Sequence, residues 1–162
     1  MKKFLALAVI AASMAGSSTA ARAAVTLLNS GFESPEIADG QPPANGPGYV
    51  VIPAGDPNFG WTVGGTSVDV VRNHFSPQND VEAYEGQQYL DLNGTPGPGS
   101  ISQNFASVAG QSYNLAFAYS HNPGNPAITA ASAIWTIYDA TTEVASGSFS
   151  HDSTTDGDGS FL

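Results

Sequence analysis

Three histidines, His74, His121 and His151, are the side chains of this sequence best suited to move protons near neutral pH. A zinc hydrolase would carry two of them in an HExxH segment, and a serine hydrolase would pair one with a GxSxG turn. The sequence contains neither pattern. His121 stands beside a turn and His151 in a polar loop, so we expect both to lie on the surface without a catalytic role.

Four carboxylates, Asp69, Glu82, Glu85 and Asp91, could supply the pair that a glycoside hydrolase needs. Such a pair works only at a fixed separation, which spacing along the sequence does not give. Asp91 falls in a Leu-rich run that ends in Asn and Gly, where a carboxylate is expected to order the following turn. We therefore predict that the chain is not an enzyme, with glycoside hydrolysis as the least supported alternative.

A second acidic group lies near the end of the sequence, at Asp152, Asp156 and Asp158. Together with Thr154 and Gly157 it partly matches the calcium loop of an EF-hand, which has glycine at its sixth position. The third position holds threonine, and the position of the bidentate glutamate falls beyond the sequence. The incomplete match favours a solvated loop.

Aromatic side chains outside regular strand alternation could bind sugars. Sugar sites stack the rings of the ligand on exposed aromatic faces and bind its hydroxyls through a few polar groups. The candidates are Tyr49, His74, Phe75, Tyr84 and Trp135. For Trp135, a core position and a binding position are equally compatible with the pattern of its strand.

Other aromatic residues follow strand alternation and are assigned to the core. Tyr113, Phe117 and Tyr119 alternate with small or polar residues, as in a strand with one buried face. Trp61 follows a glycine at the start of a strand and is also predicted to be buried.

The first 23 residues have the features of a bacterial signal peptide. Lys2 and Lys3 precede an apolar run at residues 4–15, and an Ala-Arg-Ala cleavage site follows at 21–23. The apolar run is too short for an ordinary membrane span, although an uncleaved anchor is the alternative. We therefore predict a signal peptide at residues 1–23, a secreted or cell-surface domain at 24–162, and no membrane insertion after cleavage.

The charge of residues 24–162 restricts the partners. They keep one of the four basic side chains and all fourteen acidic ones, a formal charge of −13. Such a surface repels nucleic acid and anionic lipid, and it suits neutral ligands. Carboxylates also favour a hard cation such as calcium, although solubility outside the cell alone could explain the acidity.

The chain after the leader is predicted to be all-β, because glycine- and proline-rich turns separate many short alternating runs. The pattern predicts seven to nine strands and a long loop at residues 34–56. Among the predicted strands are residues 25–28, 49–52, 67–71, 113–119, 131–138 and 143–149.

The end of the sequence is unusual. A polar loop at residues 150–160 leads to Phe161 and Leu162, which look like the start of another strand. A sheet that ended there would leave an unpaired edge. We therefore expect that Leu162 is not the native C-terminus and that the closing strands follow it.

Five short elements, in order over residues 25–126, resemble the bacterial choice-of-anchor C family, which is related to plant cell-wall proteins. The elements are residues 29–33 (NSGFE); 60–63 (GWTV) with 67–71 (SVDVV); 85–86 (EG) with 90–94 (LDLNG); 99–105 (GSISQNF); and 110–117 (GQSYNLAF) followed by 122–123 (NP).

The resemblance implies a galactose-binding-like jelly roll, a β-sandwich of two antiparallel sheets, on a secreted or cell-surface protein. It also implies a structural calcium ion at Glu33, completed by backbone carbonyls and by an aspartate in closing strands beyond Leu162. The alternative is an ordinary surface glutamate at a turn.

Taken together, these features predict a secreted, non-catalytic module that binds a neutral extracellular or cell-envelope polysaccharide. A structural or adhesive surface protein that acts through protein–protein contacts is the alternative. The oligomeric state and the identity of the ligand do not follow from the sequence.

Overall fold

The regular secondary structure is almost entirely β-strand, as a computed structural model of the chain shows. The structure describes residues 5–9, 25–37, 48–75, 81–123, 129–157 and 159–162. Within these residues it contains β1 (Leu5–Val9), β2 (Tyr49–Pro53), β3 (Thr62–Gly65), β4 (Ser67–Arg72), β5 (Gln88–Asp91), β6 (Gly99–Ser102), β7 (Phe117–His121), β8 (Ala130–Asp139), β9 (Thr142–Asp152) and one helical turn, α1 (Ser153–Asp156).

The described strands form three antiparallel sheets. The largest has the order β2-β4-β5-β1-β7, while β3 pairs with β6, and β8 pairs with β9 in a long hairpin. The prediction of an all-β chain is confirmed, and the arrangement has the character of a β-sandwich. No helix among the described residues is long and apolar enough to cross a membrane.

The main core lies against one face of the five-stranded sheet. Val68 and Val70 of β4 and Leu90 of β5 are completely buried there. Phe32 and Phe59, from two connecting segments, complete the centre with stacked rings 6.3 Å apart. Valine is favoured in β4 because branched side chains pack well on a pleated surface.

A smaller core covers the other side of the same strands. Val71, Val81 and Tyr89 are its buried members, and we call it the Tyr89 cluster. Because β4 contributes Val68 and Val70 to one core and Val71 to the other, both faces of this strand are buried. This explains why β4 carries valine on both of its faces.

The turn after β5 packs tightly over the start of β4. A Cβ added at Gly94 would lie 2.7 Å from the Cα of Val68, so only glycine fits there. Asp69 is buried and fixes the same turn, because its carboxylate accepts hydrogen bonds from the Thr95 backbone N–H (3.0 Å) and hydroxyl (2.9 Å). Asp91 accepts from the Asn93 N–H at 2.8 Å, which confirms its predicted role in ordering the turn.

Several predicted strands are confirmed with small shifts at their ends. The structure places strands at Tyr49–Pro53, Ser67–Arg72, Ala130–Asp139 and Thr142–Asp152. The predicted loop at residues 34–56 contains the first of these strands, and residues 38–47 of that loop lie outside the described residues.

The predicted strand at residues 25–28 is wrong. The backbone of Leu28 is bonded to the side-chain amide of Gln103, which accepts from its N–H (2.7 Å) and donates to its carbonyl oxygen (3.1 Å). The amide therefore satisfies the two groups that a neighbouring strand would have bonded.

The strand predicted at residues 113–119 begins only at Phe117, because its partner β1 pairs with residues 117–121 alone. Tyr113 and Leu115 consequently stay 36% and 45% exposed. The assignment of Tyr113 to the core is therefore wrong, whereas Phe117 and Tyr119 are half-buried.

Candidate functional site

An open cleft of about 490 Å³ lies between residues 113–119 and the β8–β9 hairpin. We call it the aromatic cleft, because five of its lining residues carry rings: Tyr113, Phe117, Tyr119, Trp135 and Phe149. Among the described residues, the rest of the lining consists of Asn114 and aliphatic side chains, with no charged residue. Such a surface suits an uncharged ligand with apolar faces.

Three rings pack against one another within the lining of the cleft. The Phe149 ring centroid lies 4.9 Å from that of Phe117 and 4.6 Å from that of Tyr119, with tilted planes. These distances are typical of favourable aromatic pairs. The contacts join β7 to β9 and so fix the hairpin relative to the large sheet.

Trp135 lies across the hairpin, over a glycine of the neighbouring strand. Trp135 and Gly147 are directly opposite each other in the β8–β9 register. A Cβ added at Gly147 would lie 2.9 Å from both Cζ2 and Nε1 of the indole. The absence of a side chain at this position therefore lets the indole lie close to the hairpin backbone while it lines the cleft.

Tyr113 is held in place by the loop that precedes it. Its hydroxyl oxygen accepts a hydrogen bond from the Val108 N–H at 2.7 Å, and its ring meets that of Phe105 at 6.4 Å. A ring fixed in this way loses little conformational freedom when a ligand stacks on it.

The structure does not bring the five predicted binding residues together. Tyr49 and Phe75 contact each other edge-on, with centroids 5.6 Å apart, and both pack on the Tyr89 cluster. His74 is exposed, and Tyr84 is 52% exposed. Of the five, only Trp135 lines the aromatic cleft.

Sequence reasoning missed the other rings of the cleft. Tyr113, Phe117 and Tyr119 were predicted to be core because they share one face of an alternating run. Alternation shows that these side chains share a face, but not whether another element covers that face. The pairing of Trp135 with Gly147 depends on the register of the hairpin, which alternation also does not give.

A second cleft, of about 390 Å³, is more polar, and the described residues contribute one aromatic ring to it. Trp61 lines it with Asp56, Gln103 and Asn104 among others. The Trp61 indole N–H already donates to the Asn29 carbonyl oxygen at 3.0 Å, and the ring packs against the main core, as predicted. The Gln103 amide is bonded to the Leu28 backbone. These groups have structural partners, so this cleft is the weaker candidate.

Glu33 connects the N-terminal segment to β5. Its Oε1 accepts hydrogen bonds from the Gln87 N–H (3.0 Å) and the Gln88 N–H (3.1 Å). A calcium ion needs six to eight oxygen ligands, and the described residues contain no group of three or more acidic, histidine or cysteine side chains that could hold a metal. The described donors therefore do not by themselves form a calcium site, and calcium at Glu33 stays a prediction.

The acidic loop near the end of the chain forms a short capped helix. Asp152 caps α1 by accepting from the Thr154 N–H at 2.9 Å and from the Thr154 hydroxyl at 2.7 Å. The hydrogen bonds from the side chain and backbone of Thr154 lower the pKa of Asp152. Asp156 accepts from the Asp152 N–H, and Asp158 lies outside the described residues. The carboxylates of Asp152 and Asp156 thus stabilise the N-terminus of α1.

Two histidines are stacked inside the protein, where the sequence predicted a surface position. His121 and His151 are 3% and 0% exposed, with ring centroids 5.2 Å apart and planes inclined by 22°. The surface prediction is wrong for both, because β7 packs against β9 where they lie. Among the described residues, neither ring nitrogen of His151 has a hydrogen-bond partner.

Replacing His151 by phenylalanine is expected to raise the free energy of unfolding by about 1 kcal/mol, because it removes two buried polar atoms that lack partners. Urea unfolding of the full chain measures the change. His151→Ala is the matched variant: it also removes those atoms but leaves a cavity, so it should be less stable than His151→Phe. A phenylalanine variant less stable than the alanine variant would contradict this explanation.

The carboxylates proposed as an alternative catalytic pair have structural partners. Asp69 and Asp91 are opposite each other in the β4–β5 register and are buried. Both bond to the turn after β5, and neither lines either cleft. Glu82 and Glu85 are exposed and also lie outside both cleft linings. These positions give no support to a glycoside hydrolase.

No family model, curated protein or solved structure matches this chain. The resemblance to the choice-of-anchor C family therefore stays a prediction.

Proposed function

We propose that the chain is a secreted, non-catalytic module that binds a neutral extracellular or cell-envelope polysaccharide in the aromatic cleft. The observation that carries the proposal is the lining of this open cleft, to which the described part of the chain contributes five aromatic residues and no charged one. Secretion rests on the signal peptide predicted at residues 1–23.

The cleft offers both kinds of contact that a sugar needs. The apolar C–H face of a pyranose ring can pack on the rings of Trp135 and Tyr113, which line the cleft. The side chain of Asn114 and the hydroxyl of Tyr119 can exchange hydrogen bonds with sugar hydroxyls. An open cleft also admits a segment of a long polymer, whereas a closed cavity would not.

The electrostatics favour a neutral polymer over an acidic one. The chain has a formal charge of −10, and the described lining of the cleft holds no basic side chain that could pair with a uronate or a sulfate. An anionic polysaccharide would therefore be repelled by the protein as a whole and gain no compensating contact in the cleft.

Three finer features belong to the same proposal. They are the jelly-roll arrangement of the sheets, kinship with choice-of-anchor C proteins and a structural calcium ion at Glu33. The antiparallel sheets and the carboxylate of Glu33 are compatible with these features, and the family resemblance supplies the rest.

Affinity electrophoresis tests the proposal directly. Native gels that contain mixed-linkage β-glucan, xylan, galactomannan or dextran should slow the migration of the protein in at least one case, because the polymer binds in the cleft. Polygalacturonate, an anionic polymer, is the control and should not retard it. If none of the neutral polymers retards the protein, the proposal is wrong, and release of reducing sugar would indicate a hydrolase instead.

One observation favours the alternative of a structural or adhesive protein. Apolar side chains are exposed on the β8–β9 hairpin, outside the lining of the aromatic cleft, with Ile134 80%, Tyr138 59% and Val144 59% accessible. Exposed apolar side chains that lie together are typical of protein–protein contacts. Under this alternative, replacing Ile134 or Tyr138 by serine would abolish binding to a protein partner and leave migration in every polysaccharide gel unchanged.

A further inference from the structure

The strand β1 has a position that conflicts with the predicted processing of the chain. Leu5–Val9 lies between β5 and β7, antiparallel to both, with Leu7 opposite Leu90 on one side and Tyr119 on the other. The same five residues belong to the apolar part of the predicted signal peptide. Cleavage after residue 23 would therefore remove a central strand of the largest sheet.

Removal of β1 would leave two strand edges facing each other. Tyr119 directs its N–H and carbonyl to Leu162, with bonds of 3.2 and 2.9 Å. Because these groups alternate in direction along a strand, Ala118 and Ser120 direct theirs toward β1. Both residues are buried in the unprocessed chain, and their backbone groups would lose these partners on cleavage.

The two edges cannot join without a large movement. They are two strand spacings apart, roughly 9.6 Å, so direct pairing of β5 with β7 requires a shift of about 4.8 Å. β7 is held by ring contacts to the hairpin, with Phe149 4.9 Å from Phe117 and 4.6 Å from Tyr119. Such a shift would separate these rings.

We propose that the space between β5 and β7 is a strand-acceptor site, which Leu5–Val9 fills in the unprocessed chain and a segment of another polypeptide fills after cleavage. Addition of a strand to open sheet edges is an established mode of peptide recognition. This inference rests on the predicted cleavage and is independent of the proposed polysaccharide binding.

The chemistry of the partner follows from the segment that the structure places there. It is extended, uncharged over five residues and antiparallel to both neighbours. In the sequence Lys2 and Lys3 come just before it, whereas residues 24–162 carry a formal charge of −13. We therefore expect the partner to present a short apolar segment that follows basic residues.

A peptide-binding experiment on the full chain tests this proposal. The double substitution Ala6→Pro and Ala8→Pro should empty the site, because proline cannot donate a backbone hydrogen bond within a central strand. The probe is a dye-labelled peptide with the sequence of residues 2–10. It should bind the double-proline chain and bind the unsubstituted chain at least about tenfold more weakly, because β1 occupies the site there.

A cross-link reports the register. The chain has no cysteine, so Ala118→Cys in the double-proline chain provides a single thiol. A peptide with Ala8→Cys should form a disulfide with it, because residues 8 and 118 are opposite each other. The matched peptide with Leu7→Cys directs its thiol to the other face and should cross-link at least about tenfold more slowly. Equal cross-linking by both peptides would overturn the proposal.

Other outcomes are equally decisive. If the double-proline chain is unfolded alone, recovery of its near-ultraviolet circular dichroism with the peptide supports the site, and failure to recover overturns it. If the double-proline chain is folded but does not bind the peptide, β5 and β7 have closed on each other, and the proposal is overturned. Dimerisation of that chain in light scattering, without peptide binding, would assign the site to a second copy and also overturn the proposal.

Discussion

Replacement of Phe32 by alanine is expected to lower the free energy of unfolding by about 3–5 kcal/mol, the usual range for a buried phenylalanine. Phe32 is 0% exposed at the centre of the main core. Its ring centroid lies 6.3 Å from that of Phe59 and 6.0 Å from that of Trp61. Truncation would leave a cavity at the centre of the main core. Urea unfolding followed by tryptophan fluorescence measures the loss.

Phe105→Ala is the matched control for this experiment. Phe105 is 42% exposed and has the Tyr113 ring as an aromatic neighbour, so its truncation is expected to cost less than about 1 kcal/mol. If the two variants lose similar stability, Phe32 is not at the centre of the core, and the described packing is wrong.

The substitution Gly147→Val is expected to weaken polysaccharide binding by at least about tenfold, since loss of a central aromatic contact in an interface has an effect of this size. Any Cβ at this position would lie 2.9 Å from the indole of Trp135, so the ring must move away from the hairpin. Valine is well suited to a strand, so a large loss of stability is not expected. The dissociation constant is obtained from migration at increasing polymer concentrations.

Ser148→Val provides the control on the same strand. Ser148 is exposed, and its partner across the hairpin is Ile134, on the face away from the aromatic cleft. This variant should bind as the unsubstituted chain does. If Gly147→Val also binds normally, the position of Trp135 does not matter to the ligand, and the site lies elsewhere.

Much of the fold follows from local pattern in the sequence. The alternating valines of β4 predicted a strand, and their presence on both faces agrees with burial on both sides. The two strands of the β8–β9 hairpin were also predicted, at residues 131–138 and 143–149. These features depend on neighbours in sequence, which alternation describes well.

The features that the sequence did not predict depend on distant contacts. The burial of His121 and His151 results from the packing of β7 against β9, whose residues are far apart in sequence. The exposure of Tyr113 results from the short ladder between β7 and β1. The aromatic cleft likewise combines residues 113–119 with the hairpin. Because these segments are distant in sequence, local patterns did not predict most of the candidate site.

The N-terminal segment is a further case in which local sequence pattern allows two interpretations. Its composition predicts a leader, and the same apolar residues are compatible with a buried strand. In the unprocessed chain, Leu5–Val9 is a strand of the largest sheet. Both descriptions hold if the strand is replaced after cleavage, as the strand-acceptor site implies.

The most direct test of the polysaccharide site compares Trp135→Ala with Ile134→Ala on the polymer that retards the unsubstituted chain. The two residues are neighbours in β8, but Trp135 lines the aromatic cleft, whereas Ile134 is 80% exposed and does not line it. We expect Trp135→Ala to lose at least about tenfold in affinity and Ile134→Ala to bind normally. Normal binding by Trp135→Ala, or equal loss in both variants, would contradict a polysaccharide site in this cleft.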